Sequence, residues 1–438
     1  MNPARNAALK ALIQFRRDKS WTDLYLKNSL SELSAEDAAL ATTITYGVLQ
    51  NMARIDHYIA SYSSMKLNKI MPQVLDVLRC GVYQILFMDR IPTFAAVNES
   101  VALAKKHGNP RAGAFVNAVL RKIAANKNDL PVVPNDDPVK YMSTMYSHPE
   151  WLVRRLINQF GEEQAEKIVA ANNTEAPVYI RVNTIKTSVS AIEALFEEYG
   201  ITSMRIDGAD NCLLCHSDIP MHLMKAFKEG MFYIQDMASQ LAVMLLDPKP
   251  GETLIDMCSA PGGKSLLAAQ LMDNKGEIRA FDIHEHKIDI IRQNALKYGI
   301  DIIKADVSDS SVFDSSLADT ADRIICDVPC SGLGIIRKKP DIRYKSQDSI
   351  ASLPDIQYKI LENAAGYLKP GGRLVYSTCT IIKEENTDII NRFLKEHPDF
   401  ELSPFETPVT GSTTGYVTLL PNEHNCDGFF ISVLDRKQ

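Results

Sequence analysis

The sequence predicts an all-α N-terminal domain, a small α+β subdomain and a C-terminal α/β domain with a doubly wound parallel sheet. The first 125 residues show helical periodicity almost throughout and no strand signal. After residue 231, short apolar runs alternate with helix-compatible stretches, which is the pattern of parallel strands joined by crossover helices. The chain of 438 residues also exceeds what one hydrophobic core usually supports, so we expect several domains.

Prolines and a change of periodicity indicate the domain boundaries. Three prolines fall in the polar stretch 130–138, which ends the helical domain. The predicted domains are a helical domain at 1–130, a linker and helical connection at 131–170, an α+β subdomain at 171–235 and the α/β domain at 236–438.

Alternating and helical patterns predict the elements of the two later regions. The α+β subdomain is predicted to contain a strand at Pro177–Asn183, a helix near Ile192–Tyr199, a strand-like return around Met204–Leu214 and a helix near His222–Lys228. The parallel strands are predicted at Glu252–Met257, Glu277–Ile283, Asp301–Ala305, Arg323–Asp327 and Arg373–Ser377. Two last runs, Gly415–Pro421 and Gly428–Leu434, have no helix between them and predict an antiparallel hairpin at the sheet edge.

The composition argues against membrane insertion and export. Hydrophobic residues make up 45% of the chain, yet no apolar run reaches the roughly 18 residues of a membrane span. The N-terminus lacks the pattern of a signal peptide, and eight cysteines are too dilute for a disulfide framework. We therefore expect a cytoplasmic protein.

The charge is unevenly distributed along the chain. The net charge is −6, but residues 1–130 hold 17 basic and 10 acidic side chains, a balance of +7. The remainder holds 31 basic and 44 acidic side chains, a balance of −13. Such asymmetry favours a nucleic-acid-binding module joined to an acidic domain, although a solvated basic surface gives the same count.

A glycine-rich loop follows the first predicted parallel strand and opens a helix. Its residues are Cys258, Ser259, Ala260, Pro261, Gly262, Gly263 and Lys264. Glycines let the backbone approach a ligand at a helix N-terminus. A Walker A motif would need a glycine where Cys258 stands, so the loop does not fit ATP.

Acidic residues follow or end three successive strands, at Asp282, Asp306 and Asp327. An acidic side chain at the position of Asp282 accepts hydrogen bonds from ribose hydroxyls in dinucleotide-type folds. NAD is the rival cofactor, but its G-x-G-x-x-G fingerprint is missing. The three aspartates suit the ribose, adenine amine and methionine parts of S-adenosylmethionine better than three independent helix caps.

Two cysteines follow strands that we expect to be neighbours in the sheet. Cys330 lies in Asp327–Gly332, and Cys379 lies in Ser377–Thr380. Carbon C5 of cytosine is a weak nucleophile, so its methylation requires prior addition of a nucleophile at C6, and a thiolate does this well. A second ionisable group assists the later release. Either cysteine alone would be an ordinary buried residue, but together they indicate chemistry on an extruded cytosine whose Watson–Crick edge Asp327 could bind.

These motifs resemble the RNA (cytosine-C5) methyltransferases of the NOL1/NOP2/Sun group, which implies a Rossmann-like methyltransferase domain. Cys258–Lys264 is similar to the methionine-binding loop of that group, and the two cysteine segments are similar to its proline-cysteine and threonine-cysteine motifs. The resemblance implies Cys379 as the nucleophile and Cys330 as the group that assists release. It also implies cofactor contacts at Cys258–Lys264, Asp282, Asp306 and Asp327.

The resemblance extends to the N-terminal region. Residues 1–125, with Arg90–Pro92 and Phe115–Arg121, resemble the NusB-type helical RNA-binding domain. A small RRM-like subdomain is expected between the NusB-like region and the methyltransferase domain. This domain order is similar to that of the bacterial 16S ribosomal RNA enzymes of the group. The resemblance implies methylation of one cytosine in 16S ribosomal RNA, free or partly assembled, by a monomer.

Three other functions are weighed against this one. Transfer RNA is the second candidate substrate. Ribosomal RNA is favoured over it only by analogy, through the NusB-like domain. An amino-methyltransferase of the same fold would typically carry a D/N-P-P-Y/F loop, whereas this chain has Asp327-Val-Pro-Cys330. A non-catalytic RNA-binding factor built on the NusB-like domain would have no reason to keep both thiols.

Two weaker patterns complete the sequence predictions. Cys212, Cys215 and His216 have the spacing of half a zinc site, but no second ligand pair follows, so we expect no metal. The basic segment Arg337–Lys345 follows the first cysteine motif, so its cations are expected to rim the pocket and meet phosphates, with a solvated loop as the alternative.

Overall fold

The computed structural model describes residues 2–18, 30, 33–216 and 224–438. The chain forms two compact units, one of Met1–Thr174 with Ile336–Lys345 and the other of Glu175–Ile335 with Ser346–Gln438. Within the described ranges, no helix combines the length and apolar character that a membrane span needs.

In the part of the first unit that the structure describes, the regular elements are all helices, as predicted for residues 1–130. Its helices are α1 (Pro3–Asp18), α2 (Ala35–Tyr62), α3 (Pro72–Phe87), α4 (Thr93–His107), α5 (Pro110–Ala125), α6 (Pro138–Met145), α7 (Glu150–Phe160) and α8 (Glu162–Ala171). Ser34 caps α2 by accepting a hydrogen bond from the backbone N–H of Asp37. Asn109 caps α5, and Pro110 occupies its first turn, where an N–H has no partner within the helix.

The segment Ile336–Lys345 belongs to the first unit, although the chain on both sides of it builds the second. The Arg343 guanidinium is fully buried and donates to the backbone carbonyls of Gln50 at 3.0 Å and Tyr146 at 3.1 Å. The Tyr344 hydroxyl donates to the carbonyl of Leu49 at 2.6 Å.

The expectation that the cations of Arg337–Lys345 rim the pocket and meet phosphates is therefore corrected for Arg343, whose guanidinium is buried. The Arg343 donors are directed at backbone carbonyls in the interior of the helical unit, so they do not reach a phosphate. Burial lowers the pKa of Arg343 to about 10, which leaves the guanidinium charged at neutral pH.

The small subdomain of the second unit is a four-stranded antiparallel sheet in the order β2-β3-β1-β4. Its elements are β1 (Val178–Val182), α9 (Val189–Glu198), β2 (Thr202–Ile206), β3 (Ala209–His216), α10 (Lys225–Lys228) and β4 (Phe232–Ile234). The predicted return around Met204–Leu214 is two strands, because the turn at Gly208, with φ of +72°, reverses the chain there. The N-terminal part of the helix predicted near His222–Lys228 falls outside the described residues.

The rest of the second unit is an α/β domain. Its elements are α11 (Met237–Leu246), β5 (Thr253–Asp256), α12 (Gly263–Leu271), β6 (Glu277–Asp282), α13 (Glu285–Tyr298), β7 (Ile303–Val307), β8 (Ala321–Asp327), α14 (Leu353–Tyr367), β9 (Leu368–Thr378), α15 (Thr387–Glu396), β10 (Phe400–Leu402), β11 (Glu406–Thr407), β12 (Gly411–Ser412), β13 (Tyr416–Leu419) and β14 (Phe429–Arg436). All five predicted parallel strands and the C-terminal hairpin are confirmed.

The main sheet has the order β10-β14-β9-β8-β5-β6-β7, with β13 paired to β14. Strands β5 to β9 are parallel, and β14 lies antiparallel against β9. Adjacent side chains on a strand face opposite sides, so Leu254 packs with α11 and α12 while Ile255 packs with α14. The strand order reverses between β5 and β8, where open α/β sheets bind their ligands.

Candidate active site

A cleft of about 380 Å³ opens at the carboxyl ends of the central strands. Its lining includes Cys258 from the glycine-rich loop, Asp282 after β6, Asp327 at the end of β8, and both Cys330 and Cys379. Parallel strands bring their carboxyl ends to one edge of the sheet, which is why residues far apart in sequence converge there. Six of the twelve predicted site residues line this cleft: Cys258, Ala260, Asp282, Asp327, Cys330 and Cys379.

The two predicted thiols are in direct contact. The sulfur atoms of Cys330 and Cys379 lie 3.0 Å apart, and both cysteines are free. Asp327 and Ser377 are register partners on the adjacent parallel strands β8 and β9, and each cysteine follows its strand by a few residues. The hydrogen bond with Cys379 and burial raise the pKa of Cys330 well above its ordinary value. Cys330 is therefore a protonated partner for the Cys379 sulfur at neutral pH.

Asp327 is fixed from two sides. Its Oδ2 accepts a hydrogen bond from Lys264 Nζ at 2.6 Å, and its Oδ1 accepts one from the Ser377 hydroxyl at 2.8 Å. Burial works to lower the pKa of Lys264, but the Asp327 carboxylate outweighs it and raises that pKa. The ammonium of Lys264 also lies 5.4 Å from the centre of the Phe429 ring. A rigid pair of opposite charges thus stands beside the thiols.

A second, smaller chamber of about 220 Å³ lies behind the glycine-rich loop and shares Cys258 and Asp327 with the cleft. Asp256, the last residue of β5, lines it. Asp256 Oδ2 accepts from the Ser265 hydroxyl at 2.6 Å, whereas its buried Oδ1 has no hydrogen-bond partner. Burial raises the pKa of Asp256 to about 6, against the opposing effect of the Ser265 hydrogen bond.

The backbone of the glycine-rich loop is held in place from both domains of the second unit. The Ser259 N–H donates to the carbonyl of Phe281 at 2.7 Å. Gly262 adopts a φ of +97°, a left-handed conformation that favours glycine, immediately before α12. Arg181 of the small subdomain donates to the carbonyl of Gly263 at 2.8 Å. The N-terminus of α12 is therefore presented to the cleft in a fixed orientation.

The remaining two aspartates differ in position. Asp282 is buried, lines the cleft and accepts from the backbone N–H of His284 at 3.1 Å and from Lys287 Nζ at 3.3 Å. Asp306 lies outside this cleft, lines a neighbouring groove that shares Ser308 with it, and has a side chain that is 69% exposed. The structure brings Asp282 and Asp327 together but leaves Asp306 apart, and its cofactor contact stays a prediction.

Several site residues were not predicted from the sequence. They are Asp256, Ser377, Gln357, Glu385 and Asn386. Asp256 carries the same signal as the other aspartates, an acidic residue at the end of a parallel strand. The other four contact Asp327 or the backbone beside the two cysteines, and these contacts are visible only in the folded structure.

The Cys212–Cys215 pair does not form half of a metal site. Both cysteines lie on β3, where residues three apart point to opposite faces of the sheet, and they belong to different apolar clusters. Burial raises the pKa of each thiol to about 12, so both are protonated at neutral pH. Among the residues that the structure describes, no three His, Cys, Asp or Glu side chains are grouped to hold a metal ion.

Three family models match the chain in the order of its domains. A model described as NusB family matches residues 2–125, and a ferredoxin-like domain of RsmF/B-like methyltransferases matches residues 148–222. A model described as 16S rRNA methyltransferase RsmB/F matches residues 243–435.

Curated relatives match over the full length. The "Probable ribosomal RNA small subunit methyltransferase B" of Bacillus subtilis (strain 168) is 37% identical over 99% of this chain and 98% of its own. The chain belongs to this methyltransferase family. The family member from Vibrio cholerae is 33% identical over 93% of this chain and 91% of its own.

Solved structures agree with this family and fold. The crystal structure of PH0851 has a TM-score of 0.81 and 29% identity, and the match covers 99% of this chain and 98% of that one. A methyltransferase homolog protein from Pyrococcus horikoshii has a TM-score of 0.60 and 30% identity over 66% of this chain and 95% of its own. The chain is therefore an S-adenosylmethionine-dependent RNA methyltransferase with a NusB domain.

Proposed function

We propose that this protein methylates C5 of a specific cytosine in 16S ribosomal RNA, with Cys379 as the nucleophile and Cys330 assisting release. The observation that carries the proposal is the contact of 3.0 Å between the two sulfur atoms beside the cofactor cleft. A second thiol at that distance has no use in transfer to an exocyclic amine, which needs no covalent adduct. It suits a reaction in which one sulfur bonds to the base and a neighbour acts on the adduct.

The proposed reaction begins with a covalent bond to the base. The Cys379 thiolate adds to C6 of the cytosine, and the electron pair of the C5–C6 double bond becomes available at C5. Bound S-adenosylmethionine would supply the electrophilic methyl group that C5 accepts, and its sulfur would keep the electrons of the broken S–CH3 bond. The C5 proton then leaves to a base, its electron pair restores the double bond, and the Cys379 sulfur departs with the electrons of the C–S bond. Assistance in this release is assigned to Cys330.

The charged pair beside the thiols supports recognition of the base. The carboxylate of Asp327 accepts hydrogen bonds, as the exocyclic amine of cytosine requires, and Lys264 is a donor suited to the ring nitrogen and carbonyl on the same edge. Because Lys264 and Ser377 hold Asp327 in place, its carboxylate offers an acceptor where cytosine presents its amine donor, whereas uracil would present a carbonyl oxygen there. This pair favours cytosine over uracil.

The cofactor is expected to span the cleft and the chamber. The residues fit it, because the unpartnered Oδ1 of Asp256 in the chamber suits the ammonium of its methionine part. Asp282 suits the ribose hydroxyls, and the loop Cys258–Lys264 presents backbone at the N-terminus of α12. Asp306 is the residue proposed for the adenine amine.

A product analysis tests the proposal. The purified protein is incubated with 16S ribosomal RNA transcript and S-adenosylmethionine, and the RNA is digested to nucleosides for mass spectrometry. We expect 5-methylcytidine with the unaltered protein and none with Cys379→Ala. Methylation on the exocyclic amine would instead support the amino-methyltransferase alternative. Product on transfer RNA but not on 16S RNA would shift the substrate to the second candidate.

A further inference from the structure

We propose that the consecutive residues Glu385 and Asn386 position the two thiols separately, Glu385 through the Cys330 loop and Asn386 through the Cys379 loop. This inference rests on the proposed function, since it concerns the geometry of those two thiols. Within the part of the chain that the structure describes, neither side chain hydrogen-bonds to a sulfur atom, so both are positioning residues.

Glu385 holds both chain neighbours of Cys330. Its buried Oε2 accepts a hydrogen bond from the Ser331 backbone N–H at 2.9 Å and one from Gln357 Nε2 at 2.8 Å. The same Gln357 nitrogen donates to the carbonyl of Pro329 at 2.9 Å. The residue before Cys330 and the residue after it are therefore fixed by one carboxylate and one amide.

Asn386 holds both chain neighbours of Cys379 in the same way. Its Nδ2 donates to the carbonyl of Thr380 at 2.9 Å, and its Oδ1 accepts from the Thr378 hydroxyl at 2.6 Å. Asn386 is buried, so these bonds are protected from competition with water. This amide holds the loop on both sides of Cys379, while the Gly334 N–H donates to the carbonyl of Cys379 itself at 3.0 Å.

Further contacts join Glu385 to β9, the strand that ends immediately before Cys379, and join the two cysteine loops to each other. The Tyr376 hydroxyl of β9 donates to the carbonyl of Glu385 at 2.7 Å. The Ser331 hydroxyl donates to Thr380 Oγ1 at 2.9 Å and so joins the two cysteine loops directly. The short turn after Cys379 is thereby joined to both loops whose sulfurs are in contact.

The two residues should differ in the step that they support. Without the Glu385 carboxylate, the buried Ser331 N–H has no acceptor, so the Cys330 loop rearranges while Cys379 stays in place. Attack then proceeds and release is slowed. Without the Asn386 amide, the nucleophile itself is displaced, and attack is slowed instead.

The test uses the full-length protein with RNA and S-adenosylmethionine, followed by denaturing electrophoresis to detect covalent protein–RNA complex. We expect Glu385→Ala to accumulate complex, as Cys330→Ala does, with turnover reduced about ten- to a hundredfold by the unpaired N–H. Glu385→Gln keeps an acceptor and should release RNA more readily than Glu385→Ala. Asp388→Ala, which removes an exposed acid three residues along, serves as the matched control.

Asn386→Ala should show the opposite behaviour, with slower methylation and no accumulated complex. Asn386→Asp keeps the acceptor for Thr378 but removes the donor to Thr380, and so tests the same loop with less loss of volume. Calorimetric binding of S-adenosylmethionine confirms that each variant is folded, because the cofactor residues lie on other loops.

The outcomes separate the inference from the proposed function. If Cys330→Ala traps RNA but Glu385→Ala releases it like the unaltered protein, the positioning role is wrong and the two-thiol reaction stands. If Cys330→Ala itself traps nothing, the proposed division between the thiols fails first. If Asn386→Ala traps RNA as Glu385→Ala does, the separation between the two residues is contradicted.

Discussion

The fold moves the pKa of Asp256 toward neutral pH, where a change of its charge can affect cofactor binding. Its pKa is raised to about 6 by burial, above its ordinary value of 3.8, so its proton is bound more tightly in the folded state. For the cofactor-free protein, the stabilising contribution of this group is fully present below about pH 3.8. It is lost as the pH rises through about 6, where a buried negative charge forms.

We predict that the affinity for S-adenosylmethionine increases as the pH rises through about 6, because only the ionised Asp256 pairs with the cofactor ammonium. Isothermal titration calorimetry at pH values on both sides of 6 measures this directly. Asp256→Asn should bind more weakly and show a flat profile over the same range. A steep profile that persists in Asp256→Asn would assign the titration to another group.

We predict that Asp282→Ala weakens cofactor binding by about 1.5–3 kcal/mol, because charge-assisted bonds to the ribose hydroxyls are lost. Asp306→Ala is measured beside it, since Asp306 is exposed and lies outside the cleft. A loss in both variants supports contact at both ends of the adenosine. An effect of Asp306→Ala alone would contradict the ribose assignment of Asp282.

At the residue scale, the sequence predicted the convergence of Cys330 and Cys379 because each follows a strand, and parallel strands end at one edge. It could not predict that Glu385 and Asn386 hold their loops. Those bonds depend on a turn that packs under the cysteines, and nothing in the local pattern of Lys383–Asn386 signals it. Asp306 shows the converse: the strand predicted to end at Ala305 runs on to Val307, and the Asp306 side chain within it lies outside the cleft.

The elements of the sheet follow from short apolar runs that alternate with helix-compatible stretches. Parallel strands are buried on both faces, so they are apolar along most of their length. The prediction that the cations of Arg337–Lys345 rim the pocket was wrong for Arg343, for a physical reason. Their charge favours solvent exposure, but a guanidinium is also suited to satisfy several backbone carbonyls at once. Only the packing of the helical unit shows that Arg343 does this.

We predict that Arg343→Ala destabilises the helical unit by at least about 2 kcal/mol, because buried carbonyls of Gln50 and Tyr146 lose a charged donor. Tryptophan fluorescence during urea unfolding reports this unit, since both tryptophans of the chain lie before residue 175. Arg90→Ala removes an exposed arginine of the same unit and should leave the midpoint nearly unchanged. Equal midpoints for Arg343→Ala and Arg90→Ala would contradict the anchoring role.

At the scale of the whole molecule, the charge asymmetry suits a basic module that binds RNA and an acidic domain that carries the chemistry. We predict that the affinity of the full-length protein for RNA falls steeply with salt concentration. Replacing the exposed Lys106 and Arg111 by alanine should lower the slope of log binding constant against log salt concentration by about 1 to 2 in magnitude. Lys228→Ala with Lys275→Ala removes two exposed cations from the second unit as a control. If both double variants reduced the slope equally, the basic module would contribute no more to RNA binding than the second unit.

In the proposed reaction Cys379 bonds to the base and Cys330 assists its release. The most direct measurement is to incubate Cys330→Ala with RNA and S-adenosylmethionine, isolate any complex that survives denaturing electrophoresis, and identify the modified peptide by mass spectrometry. We expect a complex in Cys330→Ala, joined through Cys379, and none in Cys379→Ala. A complex that forms in Cys379→Ala through Cys330 would contradict the assignment.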